Sequence, residues 1–424
     1  MEVKPGYKQT EVGVIPQDWD VKNLRDCLIS NPDYGINAPA VPYSDTLPVY
    51  IRITDITDDG KFSPDNIVSV RHIKADSYYL NDGDLVFART GASVGKSYLY
   101  NRKDGSLVFA GFLIRVRTNP AKLIPEYLSN YIQTGPYWSW VKIMSTRSGQ
   151  PGINGHEYGQ LPIPLPKTEE QRAIAVALSD VDDLITGLDQ LIAKKRDIKR
   201  AAMQELLTGK RRLPGFSGEW VVKRLGDSAI LKARIGWQGL TTTEYLDSGD
   251  CYLVTGTEFK NSYIDWSNCH FVDESRYKQD KNIQLKEHDV LVTKDGTIGK
   301  VALITNLPKP ATLNSGVFVI RPIDNVFHPK FLYYLLCSNA FTDFLVQLSA
   351  GSTINHLYQK DFVSFTYKMP ATIDEQIAIA NVLSDMDAEI TVLEARRDKT
   401  KALKQGMMQE LLTGRIRLVE GGAA

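Results

Sequence analysis

The strongest constraint on this chain is that it states one long pattern twice. The segment EQRAIAVALSDVDDLITGLDQLIAKKRDIKRAAMQELLTGKRRL from Glu170 matches EQIAIANVLSDMDAEITVLEARRDKTKALKQGMMQELLTGRIRL from Glu375 without a gap, at a constant offset of 205 and with about half of the positions identical. Apolar residues recur in both at spacings of four and three, which predicts helices. One seam runs Ile174, Leu178, Val181, Ile185, Leu188, Ile192; the other runs Ile379, Leu383, Met386, Ile390, Leu393, then crosses polar positions to Met407 and Leu411. A stripe this narrow suits a helix with one partner helix rather than one laid across a broad core. Thr168 with Gln171 and Thr372 with Glu375 fit capping boxes, and Gly209 and Gly414 fit left-handed stops. Each helix is then roughly 39 residues, or about 58 Å. Two seams that each want one partner are expected to pack together.

The segments before the helices repeat more weakly. WDVKNLRD from Trp19 answers WVVKRLGD from Trp220, GDLVFARTGASVGK from Gly83 answers HDVLVTKDGTIGK from His288, and GFLIRVR from Gly111 answers GVFVIRP from Gly316. IPEYLSNYI from Ile124 answers HPKFLYYLL from His328, and the pair Ile153 with Asn154 is matched to Ile354 with Asn355. Short alternating runs such as VYIRITDI and FLIRVR, bounded by Gly, Asn, Asp and Pro, predict strands. A length of 424 residues exceeds one compact core. The expected fold is α+β (mixed α/β), with two globular domains related by a pseudo-two-fold axis and separated by long helices. The boundaries read 1–166 for the first domain, 167–212 for the first helix, 213–370 for the second domain, and 371–424 for the second helix and tail.

Composition sets the class. Apolar residues at 43% and charged residues at 24% describe a globular protein with enough material for its cores. The opening segment has no apolar run behind a basic stretch, and no eighteen uncharged apolar residues stand together, so a cytoplasmic location is expected. Cys27, Cys251, Cys269 and Cys337 lie far apart without CxxC spacing, which predicts reduced structural thiols. Fifty basic and 50 acidic residues balance, which argues against gripping nucleic acid by bulk charge. A base-reading surface is still compatible with neutrality when its basic groups share one face or partner subunits supply phosphate contacts.

Catalytic signatures are missing. GASVGKS from Gly91 has three rather than four residues between its glycines, and its second copy, GTIGKV, lacks the hydroxyl that would hold magnesium, so a tight hairpin is the better reading. NPDY from Asn31 is similar to the NPPY-type loop of amino-methyltransferases but lacks the second proline and a glycine-rich cofactor strand, and reads as a turn. The six histidines show no HExxH or other ligand spacing, and no GxSxG elbow occurs.

GYKQTEVGVIPQDW from Gly6, EQxAIAxxLSDxD at both helix starts, MQELLTG at both helix ends and LPGFSGEW from Leu213 together resemble the specificity subunit of type I restriction-modification systems, over essentially the whole chain. The resemblance implies two target-recognition domains held by an antiparallel coiled coil, each reading one half of a bipartite double-stranded DNA target, with no catalysis and no cofactor in this chain. It implies two modification (methyltransferase) subunits that dock on the conserved helices and use S-adenosylmethionine, and two restriction subunits that use ATP and magnesium. The helices are then a ruler, so that four residues added near Lys195 lengthen the unspecified gap by about one to two base pairs.

Reading base edges calls for Arg or Lys on guanine, Asn or Gln on adenine, and small or hydroxyl residues where the chain enters a groove. In the first half this selects Arg89, Thr90, Ser93 and Lys96, then Arg147, Ser148, Gln150, Asn154 and His156. In the second it selects Lys294, Asp295, Thr297 and Lys300, then Ser352, Thr353, Asn355 and His356. The early loops from Tyr34 and from Arg234 add aromatic and amide groups, with Arg234, Trp237 and Gln238 as candidates. Each residue is equally readable as solvated surface, and His156 or His356 as a hydrogen-bonded structural residue. The competing classes are a scaffold joining two ligand-binding domains that never touch DNA, which neutrality favours, and a self-contained nuclease or methyltransferase, which the missing motifs disfavour.

Overall fold

The computed structural model describes residues 4–146, 150–235, 238–260, 262–349 and 356–418. The chain forms two compact units, Met1–Asp189 with Ala395–Ala424, and Gln190–Glu394. The long helices run over Thr168–Leu206 and Ile373–Leu411, 39 residues each. Both cuts between units fall inside them, so each unit owns the start of one helix and the end of the other.

In the first unit, Lys404 lies 2.6 Å from Asp182 and Arg397 lies 3.4 Å from Asp189. One residue number rises as the other falls, so the paired segments are antiparallel. Ile174 and Leu178 are fully buried, Ile185 and Leu188 nearly so, and Val181 is half-buried. The one-partner expectation holds only along part of the seam, because Ile174 and Leu178 also enter the domain core beside Trp19, Tyr127, Met408 and Leu411. Met408 is more buried than Met407, and a buried Thr400 fills the seam where the apolar spacing lapses, its hydroxyl donating to the Arg396 carbonyl at 2.8 Å.

Around this rod end, one antiparallel sheet has the order Asp33–Tyr34, Leu113–Arg117, Asp84–Ala88, Ser97–Leu99. Another has the order Leu107–Phe109, Val49–Ile51, Val68–Val70, Ala40–Pro42, its first two strands parallel. The strand from Val49 is shorter than its alternation predicts. Asp55 folds back to accept the Arg52 backbone N–H at 2.8 Å and its guanidinium at 2.7 Å, which turns the chain after Ile51. Asp20–Asn23 pairs with Pro162–Leu165, bringing the early chain beside the residues that lead into the first long helix.

The second unit repeats the plan. Its antiparallel sheet has the order Ala229–Lys232, Val317–Pro322, Val290–Thr293, Val301–Leu303, and Val221–Arg224 pairs with Thr366–Met369. Cys251–Val254 lies between His270–Val272 and Ala311–Leu313. Lys195 meets Glu389 at 2.6 Å and Lys199 meets Asp387 at 2.5 Å, again antiparallel. Ile379 and Leu383 are fully buried in a core with Phe331 and Phe341, Ile390 is buried, and Met386 and Leu393 are half-buried.

The helix starts depart from the capping boxes expected of them. Thr168 is itself helical, and the Gln171 amide accepts the Ile124 N–H at 2.8 Å while donating to the Pro166 and Lys122 carbonyls. Glu375 gives both oxygens to Arg212 at 2.5 and 2.7 Å. These polar residues tie helix to domain instead of closing the helix end. Gly209 and Gly414 stop the helices at φ +72° and +69°, as their positions predicted.

Candidate nucleic-acid interface

In the first unit, the two polar stretches singled out in sequence form one surface. GASVGKS makes the hairpin between Asp84–Ala88 and Ser97–Leu99, with Gly91 and Gly95 at φ +71° and +90°. Arg89 is pinned on both sides, its N–H donating to the Phe112 carbonyl at 3.0 Å and its carbonyl accepting the Ile153 N–H at 2.9 Å. Thr90 bridges Gly152, and the Gly91 N–H reaches the Pro151 carbonyl at 3.0 Å.

The Arg89 guanidinium lies 4.9 Å over the Tyr34 ring, and the Tyr34 hydroxyl accepts the Gly155 N–H at 2.9 Å. NPDY is therefore not a simple turn. Asp33 and Tyr34 form a short strand, and the buried Arg115 holds Asp33 at 2.6 Å.

Several other candidates have local structural duties. Asn154 caps the helix Gly155–Tyr158 by accepting the Glu157 N–H at 2.9 Å, and His156 contacts Gln160 at 3.2 Å. Lys96 pairs with Asp58 at 2.6 Å, and the half-buried Ser93 gives its carbonyl to the Lys96 N–H at 3.0 Å. Gln150 is exposed beside Gly91.

The second unit builds the same junction. The Lys294 N–H donates to the Gly316 carbonyl at 2.9 Å, and its carbonyl accepts the Leu357 N–H at 2.8 Å. Asp295 bridges His356, whose Nδ1 bonds the Asp295 carboxylate and whose ring lies 4.6 Å from Tyr358. The Lys294 ammonium sits 5.3 Å from the Phe318 ring centre. Thr297 and Lys300 are exposed, their backbones tied to the Thr293 hydroxyl at 2.6 and 2.9 Å. Gln238 is half-buried, its N–H on the Ile235 carbonyl at 2.8 Å.

Two readings need correction. Arg234 is only 1% exposed, and its guanidinium bonds the Leu313 carbonyl at 2.8 Å and the Thr312 hydroxyl at 3.2 Å, so it braces a loop from inside. The match of GFLIRVR with GVFVIRP is also out of register, because Leu113 pairs with Ala88 where Val317 pairs with Thr293, so Gly316 answers Phe112. Ile153 and Leu357 make the same bond, to Arg89 and to Lys294 respectively, and His356 stands where the first unit has Gly152. Arg147, Ser148, Trp237, Ser352, Thr353 and Asn355, and with them the match of Ile153 and Asn154 to Ile354 and Asn355, lie outside the described residues.

Sequence reasoning passed over two side chains. Tyr34 reads in sequence only as the end of the NPDY turn and the start of an early loop. Phe112 was counted into a strand that begins at Leu113, and it stands 58% exposed beside Arg89. Among the described residues, no cluster of His, Cys, Asp or Glu is arranged to hold a metal, and no helix is long and apolar enough to cross a membrane. All four cysteines are free thiols, and burial pushes Cys269 up to about 12.

A family model described as the type I restriction modification DNA specificity domain matches residues 16–195 and again 217–402. The putative type I restriction enzyme MjaX specificity subunit of Methanocaldococcus jannaschii is 27% identical over 433 residues, covering 97% of each chain. The MjaVIII specificity subunit of the same organism is 24% identical, covering 95% of this chain and 94% of its own. The crystal structure of a type I restriction-modification S subunit from M. genitalium superposes with a TM-score of 0.60 at 13% identity, covering 97% of this chain and 98% of that one.

Proposed function

The chain belongs to the type I restriction-modification DNA specificity family, and from that membership we propose that its two units each read one half of a split double-stranded DNA target. It is the recognition subunit and performs no chemistry itself. The observation that carries the two-headed reading is the duplicated junction, in which Arg89 and Lys294 are held by corresponding backbone bonds on equivalent hairpins. Such a scaffold fixes where a side chain points while leaving its identity free to vary, which is what base readout requires.

Two methyltransferase subunits binding S-adenosylmethionine dock on the long helices, and two restriction subunits supply ATP- and magnesium-dependent cleavage. The helices set the gap between half-sites. Mapping methylated adenines by long-read sequencing in a host carrying the methyltransferase, with and without this chain, tests the reading. A bipartite motif that appears only with the chain supports it; methylation without sequence preference, or no DNA binding, leaves the scaffold reading in its place.

A further inference from the structure

The duplicated junction allows the two heads to be compared position by position. Strand pairing sets Tyr34 opposite Ile114, which answers Phe318; in the second unit Lys232 lies opposite Val319, so the next residue, Ala233, takes the place of Tyr34. The hairpins set Arg89 against Lys294, each N–H bonded to the turn that precedes the next strand. On that turn Phe112, 58% exposed, answers Gly316, since Leu113 pairs with Ala88 as Val317 does with Thr293. One backbone thus carries an aromatic, a guanidinium and an exposed aromatic in the first unit, and an alanine, a lysine and a glycine in the second.

Resting on the proposed DNA-reading role, we propose that Tyr34, Arg89 and Phe112 form the base-reading head of the first unit, with Arg89 reading a guanine and Phe112 packing on an adjacent base. Stacking on Tyr34 fixes the plane of the Arg89 guanidinium, and the Gly155 N–H fixes Tyr34 in turn. A planar fork held in one orientation matches the paired acceptors of guanine, whereas an unheld arginine suits any phosphate. Tyr34 is a positioning residue; Arg89 and Phe112 make the contacts. The corresponding residue of the second unit, Lys294, is a point charge and discriminates less sharply.

The test uses the full chain with its methyltransferase subunits and duplexes carrying the mapped motif. Arg89→Lys keeps the charge and removes the fork, and is expected to relax the motif at one guanine of one half while the other half stays as in the parent. Replacing that guanine by 7-deazaguanine is expected to weaken the parent complex about tenfold and to weaken an Arg89→Ala complex no further. Phe112→Ala is expected to relax a neighbouring position in the same half, and Lys294→Ala to act only on the other half.

An Arg89→Lys complex that keeps the full motif, or that loses both halves equally while melting at the parent temperature, overturns the proposal. A parent complex that methylates without a motif overturns the DNA-reading role itself, which separates the two failures.

Discussion

Arg417, beyond the end of the second long helix, places both arms of its guanidinium on Glu170 at the start of the first, at 2.5 and 2.7 Å. It also reaches Asp18 at 2.9 Å and lies over the Trp19 ring, whose indole N–H donates to Glu170 at 3.2 Å. The second unit repeats the lock with Arg212, Glu375 and Trp220. Each recognition unit is thus closed by the tail of the helix that it does not begin.

Glu170 is 1% exposed, so removing its partner strands a buried carboxylate. Arg417→Ala is expected to destabilise the first unit by about 3 kcal/mol, near the lower end for such breaks because the arginine is partly solvated. Adding Glu170→Gln should return most of that loss. Urea titration of the single and double variants measures it; equal midpoints for parent and Arg417→Ala would leave the lock without energetic weight.

The hairpin glycines offer a second measurement. Gly95 stands at φ +90° and a Cβ there would meet Val141 at 2.7 Å and Trp138 at 2.9 Å, whereas Gly105 stands at φ +80° with open space around it. Gly105→Ala should cost only backbone strain, about 1 kcal/mol. Gly95→Ala adds overpacking and should cost about 2 to 4 kcal/mol in total. A difference below the error of denaturant titration would mean that the packed helix Gly135–Met144 yields freely.

Much of this is legible in the sequence. Both helices have the 39-residue length that their seams and glycine stops predicted, because apolar period and left-handed stops are local signals. What stayed hidden depends on partners distant in sequence. Gln171 and Glu375 sit where caps belong, yet bond Ile124 and Arg212. Arg234 looks like a surface base-reader until Leu313 and Thr312 enclose it. The gapless match of GFLIRVR with GVFVIRP is one residue out, which only the pairing of Val317 with Thr293 reveals.

A pH dependence follows from His328. Burial, then the charges of Lys330 and His288, hold its imidazole below the ordinary value, and its Nδ1 is buried with no hydrogen-bond partner among the described residues. The unfolded chain takes up this proton near pH 6.5; the folded chain resists it to lower pH. Between those values the unfolded state holds more protons, so stability is complete above the ordinary histidine value and falls as pH drops through the folded one. His328→Ile, the residue type the first unit has at Ile124, should flatten the acid side of a stability profile taken from pH 7.5 to 5. An unchanged slope would assign the effect to another group.

The ruler gives the sharpest prediction because both length and twist must agree. Four residues inserted into each long helix, after Asp189 and after Glu394, add about 6 Å and turn the helix about 40° beyond a full circle. One to two base pairs add about 3.4 to 6.8 Å and about 35° to 70° in the same right-handed sense. Length and phase stay matched, and an eleven-residue step is tolerated in a heptad seam. Seven residues in each helix add about 10 Å but leave the helix about 20° short of a full circle, while three base pairs turn the duplex by about 105°. The four-residue variant should therefore methylate the same half-sites across a gap one or two base pairs longer, and the seven-residue variant should methylate poorly at any gap. A gap that does not change with four residues would remove the helices from any role in setting it.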